Sequence, residues 1–245
     1  MTFIHALFPP WLLKEGVKKM PEMVKNPEVR RKLKEYYKGE FFEGLSGKED
    51  WTLVILSNPK NPEYRGKSIL EIAEKEGKDV VDALCDVVEA EGASIGIIVH
   101  EISEEDVDNI ARHRLTMVGS DGGIPASPRD MVHPRYYGTF TRVLGYQVRE
   151  RKLFSLEEAV GKMTSLPAQK FKLLSRGLIR EGMYADLVVF NPKTIRDEAT
   201  LEEPVKLSEG VEYVIVNVRV VFEHGELTGE YPGKVLRYKP QETLK

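Results

Sequence analysis

The chain has 245 residues and a mass of 27.9 kDa, with 41% hydrophobic and 31% charged residues, so it holds ample material for a packed core and is not a disordered segment. Its 36 Lys and Arg against 39 Asp and Glu leave a formal net charge of −3, which provides no basic footprint for nucleic acid. One cysteine, Cys85, excludes an internal disulfide and a cysteine-based zinc site; it reads as a small buried hydrophobe on a helix.

The first residues, Met1 to Pro10, are apolar but carry no basic leader and no small-residue cleavage site, and no later run approaches the ~18 apolar residues of a membrane helix. A cytoplasmic, non-membrane protein is expected. Abundant Lys and Glu, with glutamine only at Gln147, Gln169 and Gln241, point to a thermophilic source. Pro9-Pro10 and Pro27 precede two helical stretches, the second being Glu28–Lys38. Trp51–Leu56 is apolar and β-branched and predicts a strand. Ser68 with Glu71 has capping-box spacing ahead of Ile69–Lys75, and Asp79 opens a helix with Val80, Val81, Leu84, Val87 and Val88 on one broad face. Ser94–Val99 and Leu115–Gly119 are short apolar runs that suit buried strands of a parallel sheet, separated by a helix over Val107–His113 behind Ser103 and Asp106. Ser155 with Glu158 repeats the capping device before Leu156–Met163. After about residue 173 helix signals vanish, and Leu187–Phe190, Val211–Val216 and Arg219–Glu223 read as strands, followed by a charged tail from Tyr238.

The five histidines, His5, His100, His113, His133 and His224, show no pair at the spacing that places two imidazoles on one metal from one element. No phosphate-binding glycine loop and no nucleophile-elbow serine is present. Ser120-Asp121-Gly122-Gly123 follows the expected Leu115–Gly119 strand. In a βα barrel, catalytic side chains project from strand ends, and an aspartate there can ligate a metal or serve as base; the same four residues are also an ordinary turn. His133-Pro134-Arg135-Tyr136-Tyr137-Gly138-Thr139-Phe140 suits a loop over a ligand, with Arg135 able to fork onto a carboxylate or to form a surface ion pair.

Ser120-Asp121-Gly122 resembles the barrel-end aspartate motif of the amidohydrolase superfamily. His133-Pro134-Arg135, the run from Gly138 to Gly145, Arg149-Glu150 and the run from Met163 to Ala168 are similar to one branch, the D-aminoacylases or N-acyl-D-amino-acid deacylases. Arg176-Gly177-Leu178-Ile179, Gly182, the run from Ala185 to Phe190, Thr228-Gly229 and the run from Pro232 to Arg237 are similar to the strands after the barrel and to the family's ending. Agreement is dense from about residue 115 to 237 and fainter but colinear from Pro9-Pro10-Trp11 onward. The resemblance implies an α/β fold: an incomplete TIM-like (β/α) barrel portion over residues 1–172, followed by a small β-rich half-sandwich unit and tail over 173–245. It also implies zinc-dependent hydrolysis of an N-acyl-D-amino acid to a D-amino acid and a carboxylate. Asp121 would be metal ligand and proton shuttle, and Ser120, His133 and Arg135 would contact substrate.

The branch's His-x-His strand and its other upstream metal ligands have no counterpart here. The chain alone is therefore expected to be inactive and to hold zinc poorly, with activity awaiting a complementary chain that supplies the missing half-barrel; a homo-oligomer is the other partner expected. A non-catalytic remnant that binds a partner is the alternative, and an enzyme of cyclic amides a third that the His133–Gly145 match disfavours. Two local departures stand out. Phe171-Lys172-Leu173 replaces a Leu-Gly-Leu-like turn, and Asn217-Val218 replaces Asn-Gly, so the hairpin there must use another turn or accept strain at Val218.

Overall fold

The computed structural model describes residues 2–38, 51–99, 102–124, 132–201 and 203–237; His100 and the tail from Tyr238 lie outside them. The chain divides into two units: Met1–Ser103 with Gly123–His133 and Leu201–Val205, and Glu104–Gly122 with Pro134–Thr200 and Lys206–Lys245. Among the described residues no helix is long and apolar enough to cross a membrane.

In the first unit, β1 (Thr2–Phe3), β2 (Val54–Leu56) and β3 (Gly96–Val99) form a sheet in the order β1-β3-β2. Both pairings are antiparallel, Thr2 facing Ile97 and Ile55 facing Ile98, which overturns the parallel sheet expected from these runs. Continuous apolar strands require two covered faces, and an antiparallel sheet meets that need equally well when helices pack on it. The expected strand Trp51–Leu56 is a 3-10 turn over Trp51–Leu53 and a strand only from Val54.

Helices α1 (Pro10–Leu13), α2 (Met20–Met23), α3 (Pro27–Tyr37), α4 (Ile69–Glu76) and α5 (Val80–Glu91) surround that sheet's core. Asn26 caps α3 through the Glu28 N–H at 2.9 Å. At α4 the box is complete: Ser68 Oγ accepts from Glu71 N at 3.1 Å, and Glu71 Oε2 accepts from Ser68 N at 2.8 Å. Asp79 caps α5 through Val81 N at 3.0 Å. The core runs from Ile4, Phe8 and Leu12 through Met20, Leu33, Leu56 and Ile69 to Leu84 and Val88, all sealed from solvent. Tyr37 lies inside it and donates its hydroxyl to the Leu7 carbonyl at 2.9 Å.

The second unit holds α6 (Glu104–Arg112), α7 (Arg135–Arg142), α8 (Leu156–Met163), α9 (Ser165–Lys170) and a sheet of β4 (Leu187–Phe190), β5 (Val211–Val216), β6 (Arg219–Glu223) and β7 (Glu226–Leu227). The sheet is antiparallel in chain order, and its three longer strands coincide with those expected. The capping box of Ser155 and Glu158 forms at 3.1 and 2.9 Å. Leu115–Gly119 is not a strand: it is irregular backbone without a ladder partner among the described residues. The run from Arg135, expected as a loop, is helical, and from Val143 to Glu150 it continues with π-helical hydrogen bonding. Pro134 is its N-cap residue, where a missing N–H costs the helix nothing.

Both departures from the glycine turns take left-handed backbone. Lys172 follows α9 at φ 57°, and Asn217 and Val218 form the two-residue β5–β6 turn at φ 47° and 72°. The neighbouring β6–β7 hairpin meets the same demand with His224-Gly225. The strained turn is held from four directions. Asn217 N–H donates to Asp186 (2.8 Å), its Nδ2 to the Pro232 carbonyl (2.7 Å), its Oδ1 accepts from Arg176 (2.7 Å), and Val218 N–H donates to Ala185 (3.1 Å). Arg176 and Asp186 also pair with each other.

Candidate functional site

Asp121, Ser120 and Arg135 come together in the second unit. Asp121 has φ 43°, a left-handed conformation that aspartate adopts more readily than most side chains. Ser120 Oγ accepts the Gly122 N–H at 3.2 Å, which tightens the turn. Gly122 allows a close approach: a Cβ there would stand 3.1 Å from the Tyr136 Cα, tighter than side chains ordinarily pack. Arg135, the first residue of α7, reaches back with two donors. Its terminal nitrogen binds Asp121 Oδ2 at 2.6 Å and its Nε binds the Asp121 carbonyl at 3.3 Å. The arginine thus forks onto one residue of its own chain, holding both the carboxylate and the backbone of the turn.

This pair is open to water, with 77% of the Asp121 side chain and 33% of the Arg135 side chain exposed. An exposed ion pair of this kind contributes about 0–1 kcal/mol, so it orients the carboxylate without sequestering it. His133 belongs to the first unit and is half-buried. Cys85 is sealed in α5 and burial pushes its thiol up to about 12, which removes it as a nucleophile near neutral pH.

The zinc that the resemblance implies does not find a site in these residues. Among the described residues no three His, Cys, Asp or Glu side chains are grouped so as to hold a metal ion. Asp121 is the one acidic group at the turn, and its carboxylate is turned onto a guanidinium. One carboxylate facing a cation is a poor donor set for a metal that takes three or four ligands.

The other motif residues of the second unit serve packing. A Cβ on Gly145 would lie 2.5 Å from the Ile195 carbonyl oxygen, and one on Gly138 would lie 2.8 Å from the Asp197 Cβ. Arg149 donates to that same Ile195 carbonyl at 2.6 Å. Arg142 lies 4.2 Å over the Tyr146 ring and 3.4 Å from Asp197. Gly177 at φ 84° packs on Ala168 and the Thr164 carbonyl.

One residue escaped the motif reading. Lys162 lies in α8 three residues after Ala159 and one before Met163, and it is buried. Its signal was present: a lysine at i+3 from a buried alanine sits on the apolar face of an amphipathic helix.

Comparison with known proteins supplies the context. The profile of the Amidohydrolase family matches residues 88–222. An N-acyl-D-aspartate deacylase of Alcaligenes xylosoxydans xylosoxydans is 44% identical over 176 residues, 71% of this chain and 34% of that protein. A D-aminoacylase of the same organism is 42% identical over 185 residues, 76% of this chain and 36% of its own length. Among solved structures, the N-acyl-D-glutamate deacylase of Bordetella bronchiseptica, complexed with zinc and a phosphonate mimic of the tetrahedral intermediate, superposes with a TM-score of 0.63. It is 40% identical, over 73% of this chain and 36% of that one. The chain therefore spans about a third of the length of the curated relatives it matches.

Proposed function

The chain belongs to the amidohydrolase family, and from that premise we propose that it is the carboxy-terminal portion of a hydrolase that splits N-acyl-D-amino acids into a D-amino acid and a carboxylate. The observation that carries this is the turn at Asp121: a left-handed, exposed carboxylate shaped by Ser120 and held by the Arg135 fork. Amide hydrolysis breaks the acyl C–N bond, adds the hydroxyl of water to the acyl carbon and delivers protons to the leaving nitrogen. A carboxylate that accepts a proton from water and returns it to nitrogen is the role assigned to Asp121. Arg135 suits the carboxylate that every N-acyl amino acid carries, because a guanidinium binds carboxylates in a two-pronged fashion. Ser120 would add a substrate contact within the second unit; the contact implied for His133 rests on the resemblance alone.

Zinc enters no step assigned here, since the residues described do not hold it. The upstream ligands come instead from a complementary chain, which would also complete the TIM-like barrel portion of residues 1–172 and the half-sandwich of 173–245; a homo-oligomer would cover apolar faces without supplying those ligands. A cytoplasmic setting and a thermophilic source belong to the same proposal, the latter supported by the Lys and Glu content and the scarcity of Gln. The second reading is a non-catalytic subunit or remnant, favoured by the engagement of Asp121 with Arg135 and by the lack of a metal-holding group among the described residues.

The test is release of free amino acid from N-acyl-D-methionine and its L-isomer, with added zinc. The 245-residue chain is assayed alone and after co-expression with the amino-terminal two thirds of the Alcaligenes D-aminoacylase. D-selective turnover in the mixture, lost in Asp121→Ala, is expected. Turnover by the chain alone overturns the need for a complement. Silence of a stable mixed complex overturns the deacylase and leaves the non-catalytic subunit.

A further inference from the structure

The segment from His113 to Asp121 reaches its carboxylate without a strand ladder to hold it. Its start is tied to α6, where the His113 N–H and the Thr116 hydroxyl both donate to the Ile110 carbonyl at 3.2 and 2.7 Å, and a further anchor comes from one residue of α8. Lys162, in the last turn of α8, sends its Nζ to the His113 carbonyl at 2.6 Å and to the Thr116 carbonyl at 3.3 Å. The backbone carbonyl of the same lysine accepts the Val118 N–H at 3.2 Å. Val118 in turn packs against the small core of Val143, Leu144, Ala159 and Ile195. Gly119 itself is loosely packed, with nothing within 4 Å of a Cβ placed on it, and Ser120 and Asp121 follow directly.

The chemistry of this lysine is unusual. It is buried, and no carboxylate pairs with it among the described residues; its remaining partner is the Phe154 ring 5.7 Å from the ammonium. Burying a charged amine is costly, so a lysine with no counter-ion is stable only where carbonyl dipoles and a ring face replace water. Methionine would fill the same space on this apolar face without that cost. What methionine cannot do is bind two carbonyls three residues apart.

We propose that Lys162 is a positioning residue that substitutes for the missing ladder, fixing His113–Val118 from both its ammonium and its backbone and thereby setting where Asp121 leaves the core. The functional meaning of this tether rests on the role proposed for Asp121, whereas the tether itself does not. Arg135 binds Asp121 itself, so the segment has two cationic anchors of different kind, the buried Lys162 at His113 and Thr116 and the half-buried Arg135 at the turn.

Amide exchange on the 15N-labelled 245-residue chain tests the tether directly. In Lys162→Met the two Nζ bonds to the His113 and Thr116 carbonyls are lost while the backbone bond to the Val118 N–H is kept, so exchange at Val118 is expected to quicken about tenfold through freer opening of the whole segment. The Gly119 and Gly122 resonances should shift or broaden with it, while Val214 in β5 keeps its protection. Lys162→Arg, which retains donors on a long stem, should restore Val118. Unchanged protection at Val118 in Lys162→Met overturns the proposal. So does an equal loss at Val214, which would make the lysine a general support of the unit, or an arginine variant that behaves as the methionine one. Should Lys162→Met fail to fold, reductive methylation of the wild-type chain decides: Lys162 is expected to react at least about tenfold more slowly than the exposed Lys152 and Lys170, and equal rates overturn the tether. None of these readouts depends on turnover, so a failed deacylase assay leaves them standing.

Discussion

The two units bury their apolar residues differently. In the first, Ile4, Leu12, Met20, Leu33, Leu56, Ile69 and Leu84 are fully sealed, and five helices close over a three-stranded sheet. In the second, the continuous core is Val143, Leu144, Ala159 and Ile195, and β5 has no fully buried residue. Successive residues of a strand face opposite sides of its sheet. Yet Val188 and Val189 on β4 are both exposed, as are Ile179, Val218, Leu227 and Tyr231. Both faces of β4 are therefore open to solvent at Val188 and Val189. The difference shows that capping and amphipathic helices let one segment close its own core. A β-rich segment of similar size presents apolar residues that its own described residues leave open.

Truncating each core should sharpen that contrast, with the larger loss in the first unit. Leu84→Ala removes a sealed side chain from α5 and is expected to cost about 2–5 kcal/mol. Exchange protection across α5 reads it. A loss under about 1 kcal/mol would mean that the core collapses easily around the void. In the second unit the vulnerable point is a close approach. Gly145→Ala drives a Cβ toward the Ile195 carbonyl oxygen, a backbone atom that cannot swing aside, and is expected to cost about 1–3 kcal/mol. Protection of the amides around Ile195 reports that loss.

Strain gives a change of the opposite sign. A β-branched residue at φ 72° is held in a region that costs about 1–2 kcal/mol for residues other than glycine. Val218→Gly should recover about 1 kcal/mol of that, less the greater freedom glycine has when unfolded. A rise in thermal midpoint checks it, and a fall would show that the exposed valine side chain makes a contact outweighing the strain.

How legible these features were follows from what each depends on. The capping boxes at Ser68 and Ser155 and the strands from Val211 and Arg219 were readable because they rest on neighbours in sequence. Leu115–Gly119 was misread because a short apolar run looks the same whether it pairs in a sheet or is pinned by a lysine. The direction of β3 was misread because alternation and burial carry no sign for parallel or antiparallel. At the candidate site, Asp121 and Arg135 were both singled out, but their pairing with each other was not, since a fork onto a carboxylate does not say whose carboxylate it is. Gly138 and Gly145 stood in the motif without a reason until Asp197 and Ile195 supplied one.

The smallest effect expected is also the most diagnostic of the difference between the units, because it depends on charge and not on apolar area. In the first unit the Glu71 carboxyl is held below its ordinary range by the Ser68 backbone N–H and then Lys67, and Glu76 by hydrogen bonds from Tyr64 and Lys78. Burial pushes Asp86 up, but hydrogen bonds from Lys78 and Arg30 outweigh it and leave this carboxyl low as well. A carboxyl whose folded value lies below its unfolded one binds fewer protons when folded. Its stabilisation is complete above the unfolded value of about 4 and is lost as pH falls through the folded value. Solvent screening keeps each contribution under about 1 kcal/mol. In the second unit Glu157 is held low, by its own backbone and by Ser155. Lowering pH from about 5 to 3 should therefore reduce exchange protection in α4 and α5 more than in β5 and β6. An equal decline in both would mean that the acid response comes from overall charge repulsion and not from these paired carboxylates. A decline confined to β5 and β6 would reverse the assignment of charge-dependent stability between the units.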